Sequence, residues 1–470
     1  MKTEKMSYKK IFVLGLGFFG ISVIWSLYNA YVPIFLKDFA LSSFVIGFIM
    51  TIDNIFAILL LPYIGALSDQ TRTKMGRRMP YILIGAPIAA LFFWLIPISW
   101  AMRSLGMMMA TIIIMNFAMA IFRSPVIALM PDITPSKYRS QANGIINFMG
   151  GLGALLVYFA GKPLYDKNPA YPFYVGALLM LGASLLVVVL VKEPKEYRTG
   201  KSGKIDFSMR KSFRELVENL KDVFVSKEKS LLLMLMSILL WFIAFNAIET
   251  FFTSFSKFYI GIKASTGTLA LGVFSLTFML FSVFAGFMGT KFGRKKTMIV
   301  GLLIMVFIVM MSYVFATNSL RPRSVEILKT YEKQLKAKLG SIPQSPAEAI
   351  DRLKSVKGAE DLLKDMEASM KKIERKFLVL IGSVMIFGGI GWAMVNVNSL
   401  PMVVDMTSNE KVGGYTGLYY FFSMAANIVA PPLSGWIIDK TNYGSLMIFS
   451  AAFFALSILT LSGVRRGDVV

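Results

Sequence analysis

Long apolar runs alternate with short polar breaks along the whole chain. The runs occupy roughly 11–36, 43–67, 81–101, 105–130, 141–161, 171–191, 230–256, 265–289, 297–316, 377–401, 412–438 and 443–463, twelve in all. Each is long enough for the ~20 apolar residues that a helix needs to cross ~30 Å of hydrocarbon. Apolar residues within them are continuous rather than alternating, and backbone in lipid must close its hydrogen bonds inside each segment. The pattern therefore predicts α-helices and excludes a strand barrel. The expected class is an all-α polytopic membrane protein with twelve transmembrane helices.

Two longer polar stretches interrupt the runs. Residues 192–229 separate six runs from six, giving an amino-terminal bundle over 1–191 and a carboxyl-terminal bundle over 230–470. In this linker Ser212-Phe213-Arg214-Glu215 has capping-box spacing, and Phe213, Leu216, Val217, Leu220, Val223 and Phe224 follow at helical period, predicting an amphipathic surface helix. The second stretch, 317–376, carries one helical stripe at Leu328, Tyr331, Leu335 and Leu339 and another at Leu362, Met366, Met370 and Ile373. Ser345-Pro346-Ala347-Glu348 is a helix start signal between them. A short helical hairpin is expected, solvated and dispensable for the work of the membrane part.

The halves repeat one another. Asp132-Ile133-Thr134 stands twelve residues before Gly144, as Asp405-Met406-Thr407 does before Gly417; Arg123 and Asn396 precede the aspartates by nine. Gly65 to Arg78 is echoed by Gly286 to Lys296, and Tyr28-Asn29-Ala30 by Phe245-Asn246-Ala247. Four echoes in the same order imply duplication of a six-helix unit. Such a unit brings a pseudo-twofold axis and an expected binding site between halves near mid-membrane.

Charge orients the chain. It is 56% hydrophobic and 16% charged, with a net charge of +23. With the amino terminus inside, short inner segments hold seventeen Lys and Arg, and outer ones seven. This asymmetry accounts for the basic excess without nucleic acid and makes both termini cytoplasmic, with 317–376 extracytoplasmic. Lys2, Lys5, Lys9 and Lys10 precede an apolar run longer than a signal-peptide core, with no small-residue cleavage site behind it, so this segment is expected to remain as an anchor. Neither Cys nor His occurs. Thiolate chemistry, His-based metal binding and His acid/base work are thereby excluded, no metal or cofactor is expected, and any proton handled must ride on a carboxylate.

After the second run comes Gly65-Ala66-Leu67-Ser68-Asp69, then Gln70-Thr71-Arg72-Thr73-Lys74-Met75-Gly76-Arg77-Arg78-Met79-Pro80. This stretch resembles the loop signature of the major facilitator superfamily. Its several residues between Asp and Gly-Arg-Arg, and the following Pro, resemble more narrowly the glycoside-pentoside-hexuronide cation symporters and the sucrose–proton symporters. Arg123-Ser124-Pro125, Asp132 and Asn143-Gly144 extend the resemblance. It implies the major facilitator fold of two pseudo-symmetric six-helix bundles and transport of a sugar, a di- or oligosaccharide, with a coupling cation. Independently of the family, Asp69 can accept from helix-end amides or pair with Arg, and such breakable latches suit gating. The gating candidates are Asp69, Arg72, Gly76, Arg77, Arg78, Asp132, Arg139 and Asp405. Thr290 stands where the second half would need the acid, so an asymmetric latch is expected.

Two carboxylates lie well inside runs, Asp53 and Glu249. A charge at mid-bilayer costs at least ~2.5 kcal/mol, which makes both candidates for cation coupling. The sodium-coupled melibiose-type relatives carry two acids one turn apart; aligned on Pro62 and Gly65, those positions here are Ala57 and Leu61, with Asp53 four residues earlier. A proton is thus expected in preference to sodium. Candidate substrate contacts are Trp25, Tyr28, Asn29, Trp241, Asn246, Asn396, Asn398 and Tyr419, since neutral hydrogen-bonding groups and flat rings suit hydroxyl-rich ligands, although single Asn residues serve equally as interhelical contacts. Arg123, near the inner end of its run, is open to a substrate or coupling role, to snorkelling, or to a bond with Asp132.

Proton-coupled sugar symport by alternating access in the plasma membrane, by a monomer, is the expected function. An exporter of drugs or metabolites on the same scaffold is the alternative within transport. An intramembrane enzyme or sensor is the alternative from another class, disfavoured because no Ser–His pair or metal cluster is present and each half has only one deep acid; the lack of a nucleotide-binding loop excludes an ATP-driven pump made from this chain alone.

Overall fold

The computed structural model describes residues 7–135, 138–194, 197, 214, 217–218, 220–221, 223–225, 228–343, 345–406 and 412–467. Among them twelve helices are long and apolar enough to cross a membrane. They are α1 (Tyr8–Lys37), α2 (Ser43–Gln70, broken at Thr51), α3 (Met79–Ala101), α4 (Leu105–Ile133), α5 (Gln141–Lys167), α6 (Tyr171–Leu190), α7 (Ser230–Ile260), α8 (Ala264–Phe292), α9 (Arg294–Thr330), α10 (Glu360–Val404), α11 (Gly414–Lys440) and α12 (Ser445–Ser462). The starts follow local chemistry. Ser104 caps α4 by accepting from Met107 N at 3.3 Å, and Pro80 and Pro172 occupy first-turn positions of α3 and α6, where no amide partner is lost.

The chain divides into two compact units, Met1–Ala40 with Ile49–Glu215, and Leu41–Phe48 with Leu216–Val470. In the first, α1 packs on α5 and α6, α3 on α4 and α6, and α2 on α4. In the second, α7 packs on α11 and α12, α9 on α10 and α12, and α8 on α10. Adding six to each helix number turns one set of pairings into the other, so the sequence echoes correspond to a repeated architecture.

Small residues set the closest approaches. A methyl group on Gly153 of α5 would lie 2.5 Å from Phe19 O of α1, and one on Gly389 of α10 would lie 2.5 Å from Phe274 O of α8. Backbones packed this closely need no hydrophobic drive between helices in lipid.

The expected hairpin is larger and better packed than its periodicity implied. The first stripe is broken at Tyr331, where α9 ends and a second helix, Glu332–Leu339, begins; a third, Pro346–Leu353, starts at Ser345, whose Oγ accepts from Glu348 N at 3.2 Å. The second stripe belongs to α10, a single 45-residue helix that runs on from the insert through the membrane span. Leu335, Ile350, Leu353, Met366, Met370 and Ile373 are buried together with the second unit rather than solvated. In the linker, Arg214, Val217, Glu218, Leu220, Lys221 and 223–225 are helical, with Val217 and Phe224 exposed. Ser212, Phe213, Glu215 and Leu216 lie outside the described residues.

Candidate functional site

A charge network closes one end of the first unit. Arg77 grips Asp132 with both Nη2 (2.5 Å) and Nε (3.1 Å), and Arg78 Nε donates to the same carboxylate at 3.0 Å. Arg78 also pairs with Asp69, donates to Ser68 Oγ, and reaches Gly65 O at 3.2 Å. Asp69 lies 3.5 Å from Arg77, so the two aspartates and two arginines form one array. Arg77 further stacks on Tyr197, its guanidinium 3.8 Å from the ring centre. Burial alone would lower the Arg77 pKa, but hydrogen bonding to Asp132 and the charges of Asp132, Tyr197 and Asp69 carry it above its ordinary value.

The residue that organises this loop was absent from the sequence candidates. Glu193, just beyond α6 and 3% exposed, accepts from Arg77 N (2.8 Å), Arg78 N (2.9 Å) and Met79 N (3.1 Å) at the start of α3. A carboxylate there satisfies otherwise unpaired amides and faces the positive end of the helix dipole. Gly76 makes room for it with φ +124°, and a methyl group there would lie 2.4 Å from the carboxylate. Arg72 donates to Asp69 O (2.6 Å) and Thr71 O (2.9 Å) and lies 5.8 Å over the Tyr197 ring, and the exposed Arg139 donates to Pro131 O at 3.4 Å.

The second unit repeats half of this array. Arg294 pairs with Asp405, and Lys295 Nζ donates to Ser462 O and Val464 O at 2.7 Å. Among the described residues Thr290 bonds only within its own helix, to Phe287 O at 2.9 Å and Gly286 O at 3.4 Å. The basic-to-acid arm is therefore duplicated and the arm through Asp69 is not.

Deeper in the first unit, Tyr28 is fully buried on α1, edge-on to Trp25 (5.6 Å), and accepts from Asn116 Nδ2 of α4 at 3.4 Å. The Asp53 charge acts on both Tyr28 and Arg123, and Asn54 Nδ2 donates to Asp53 Oδ1 at 2.8 Å. The Asp132 carboxylate considered as a partner for Arg123 is bonded by Arg77 and Arg78. Asn29 is half-buried on the same helix as Tyr28.

In the second unit, Asn246 of α7 donates to Phe242 O at 2.7 Å and to Asn427 of α11. Trp392 lies flat on Phe245 (3.9 Å, 2° between planes) and edge-on to Phe242 (5.7 Å). Glu249 is half-buried one turn beyond Asn246. Asn398 spends its amide hydrogens on Ala285 O (3.1 Å) and Met394 O (2.9 Å), with its oxygen against Gly289. Asn396 is half-buried, and Tyr419 shares a 3.0 Å hydrogen bond with Ser399. Trp25 Nε1, Trp241 Nε1 and Asn116 Oδ1 are buried without a hydrogen-bond partner among the described residues. Two small apolar cavities in the first unit, one along Val23, Leu27 and Gly161 and one along Ile82, Pro87 and Leu185, touch none of these groups.

Twelve apolar helices in two units of matching pairings, with polar residues inside them, define a multi-pass membrane protein of the duplicated six-helix class. The chain belongs to the Major Facilitator Superfamily, whose family pattern matches residues 14–322 and 376–468. The residues between these segments, 323–375, are most of the insert.

The chain is 36% identical over 101 residues to an uncharacterized symporter of Synechocystis sp., covering 21% of this chain and 19% of that one. It is 23% identical over 198 residues to the quinolone resistance protein NorA of Staphylococcus aureus, covering 42% and 49%. The chain thus spans about a fifth and about half of the lengths of these relatives. Among solved structures it is similar to the nucleoside transporter NupG (TM-score 0.62, 14% identity, 97% of this chain and 99% of that one). It is likewise similar to the D-xylose-proton symporter (TM-score 0.58, 15% identity, 97% of each). Both likenesses show the fold.

Proposed function

We propose that this transporter moves an uncharged, hydroxyl-rich solute, a di- or oligosaccharide, by proton symport through alternating access. The observation that carries the reading is the cluster in the first unit where Asp53 acts on both Tyr28 and Arg123, with Asn116 on Tyr28. A carboxylate set inside a span beside a cation and neutral hydrogen-bonding groups can exchange its charge for a proton while its neighbours hold a polar ligand. In a chain without His, Asp53 and Glu249 are the groups available for that exchange. Asp53 is the one acid well inside α2, and Ala57 and Leu61 stand where the sodium-coupled relatives carry their two acids, which supports proton rather than sodium.

Trp25, Tyr28, Asn29, Arg123, Trp241, Asn246, Asn396 and Tyr419 are the substrate contacts of this proposal. The buried indole N–H groups of Trp25 and Trp241, without protein acceptors, suit hydroxyl oxygens. Asn398 we assign to packing, because carbonyls of α8 and α10 take both its hydrogens. The array of Asp69, Arg77, Arg78, Asp132 and Glu193 acts as a gate latch, as does Arg294–Asp405 in the second unit. The narrower resemblance to glycoside and sucrose symporters, a plasma-membrane location with cytoplasmic termini, and function as a monomer belong to the same proposal.

Uptake of a labelled disaccharide panel into proteoliposomes, with imposed proton or sodium gradients, tests it. Accumulation driven by a proton gradient supports the reading, and absence of accumulation for every sugar under either gradient refutes it. A second reading, export of drugs or metabolites, is favoured by the similarity to NorA over 198 residues. Proton-driven movement of cationic dyes with no sugar uptake would select it.

A further inference from the structure

The insert, most of which lies outside the family pattern, is bonded to the outer end of α7. That end, Phe255–Ile260, is a π-helical turn closed by Gly261 at φ +89°. Wide turns of this kind are rare and need outside contacts to persist. Here the insert provides them. Ala347 N donates to Gly261 O at 3.3 Å, the Arg321 guanidinium lies 4.6 Å over the Tyr259 ring, and Tyr259 OH meets Thr317 Oγ1 at 2.9 Å. Lys257, with its side chain 11% exposed, lies 3.4 Å from Asp351, and among the described residues no other acid is within ion-pair reach of it. Lys263 adds a 3.5 Å pair with Glu367 of α10.

The same turn holds a clasp on its other side. Phe258 stacks on Tyr443 at 5.3 Å, and Tyr259 packs against Gly444, where a methyl group would lie 2.5 Å from the ring. Tyr443 OH accepts from Ser43 Oγ at 3.3 Å. Beside it the Asp439 carboxylate accepts from Ser43 N (2.7 Å) and Phe44 N (2.8 Å). Gly47 and Gly435 permit backbone contact with Pro431 O and Ser43 O. These bonds hold Leu41–Phe48 on the second unit, although the residues before and after it in the chain belong to the first.

We propose that the insert is a brace for this clasp, with Lys257–Asp351 as its key contact, and that it sets how readily Leu41–Phe48 detaches. Loss of Asp351 removes the ion-pair partner of Lys257, a contact of modest strength because the Asp351 side chain is 53% exposed. Moving Lys257 toward water then draws Phe258 and Tyr259 away from Tyr443 and Gly444, and the grip on Ser43 and Phe44 loosens. The proposal is independent of which solute or cation is moved.

The chain has no Cys, so a single thiol reports the clasp. Ile46 is 0% exposed within it, and Ala285 is 0% exposed elsewhere in the second unit. Maleimide labelling of I46C is compared in the parent, K257Q, D351N, the double K257Q/D351N and the charge-exchanged K257D/D351K, with A285C as reference. The Asp351 side chain is 53% exposed, so D351N leaves packing intact. Each single variant should accelerate I46C labelling about fivefold, the double variant no further, and the exchange should return it toward the parent rate. Unchanged I46C labelling in D351N, or equal acceleration at A285C, overturns the proposal.

Discussion

The carboxylate of Glu193 occupies the space that a methyl group on Gly76 would take, 2.4 Å from its carbon. Gly76 also holds φ +124°, where a side chain is strained whatever the space. G76A should therefore displace Glu193 from the three amides that open α3, costing about 2–4 kcal/mol through strain and lost capping. E193A removes the same bonds from the other side. Thermal unfolding in detergent should show the pair as non-additive, the double variant little worse than the poorer single one. Full additivity would mean that the glycine and the carboxylate act separately.

The two ion-pair arms differ in burial, which predicts unequal sensitivity. Asp132 is 8% exposed with Arg77 and Arg78 at 13% and 4%, whereas Asp405 is 41% exposed with Arg294 at 15%. Removing one partner of a buried pair strands the other, at about 3–5 kcal/mol; an exposed pair is worth about 0–1 kcal/mol. D132N should cut folded yield or melting temperature sharply, and D405N should leave both close to the parent. Equal losses would show that burial does not govern these arms.

Much of this was readable in advance because duplication writes the same chemistry twice. The matched offsets of Asp132 and Asp405 correspond to matched arginine partners. Glu193 was not readable: its targets lie 114–116 residues away, and one acid beside a polar linker has no periodic signal. Asn116 and Asn427 were missed because a lone amide in an apolar run looks alike whether it packs or binds. The sequence leaves Arg123 open to a substrate or coupling role, to snorkelling or to Asp132, and the fold shows that Arg77 and Arg78 bond Asp132. Hydropathy also ends where the membrane does, while α10 continues as a helix back to Glu360.

Charge asymmetry predicts the sidedness of the chain, with residues 317–376 outside and the loop after α2 inside. Lys357 and Lys74 are both exposed, and each can be replaced by Cys in this Cys-free chain. An impermeant thiol reagent on intact cells should label K357C at once and K74C only after permeabilisation. The opposite order would invert the topology.

The acid that couples the proton should be separable from residues that only bind or fold. D53N and E249Q keep shape and most hydrogen bonding but remove the titratable charge. At the coupling acid this should abolish uphill accumulation while leaving binding and exchange of unlabelled for labelled sugar within about threefold. An acid that only contacts sugar would instead weaken binding as its amide, and a structural one would lower folded yield. Asp53 is the stronger candidate because its charge acts on Tyr28 and Arg123 together. Continued accumulation under a proton gradient by both D53N and E249Q would rule out carboxylate coupling at these positions.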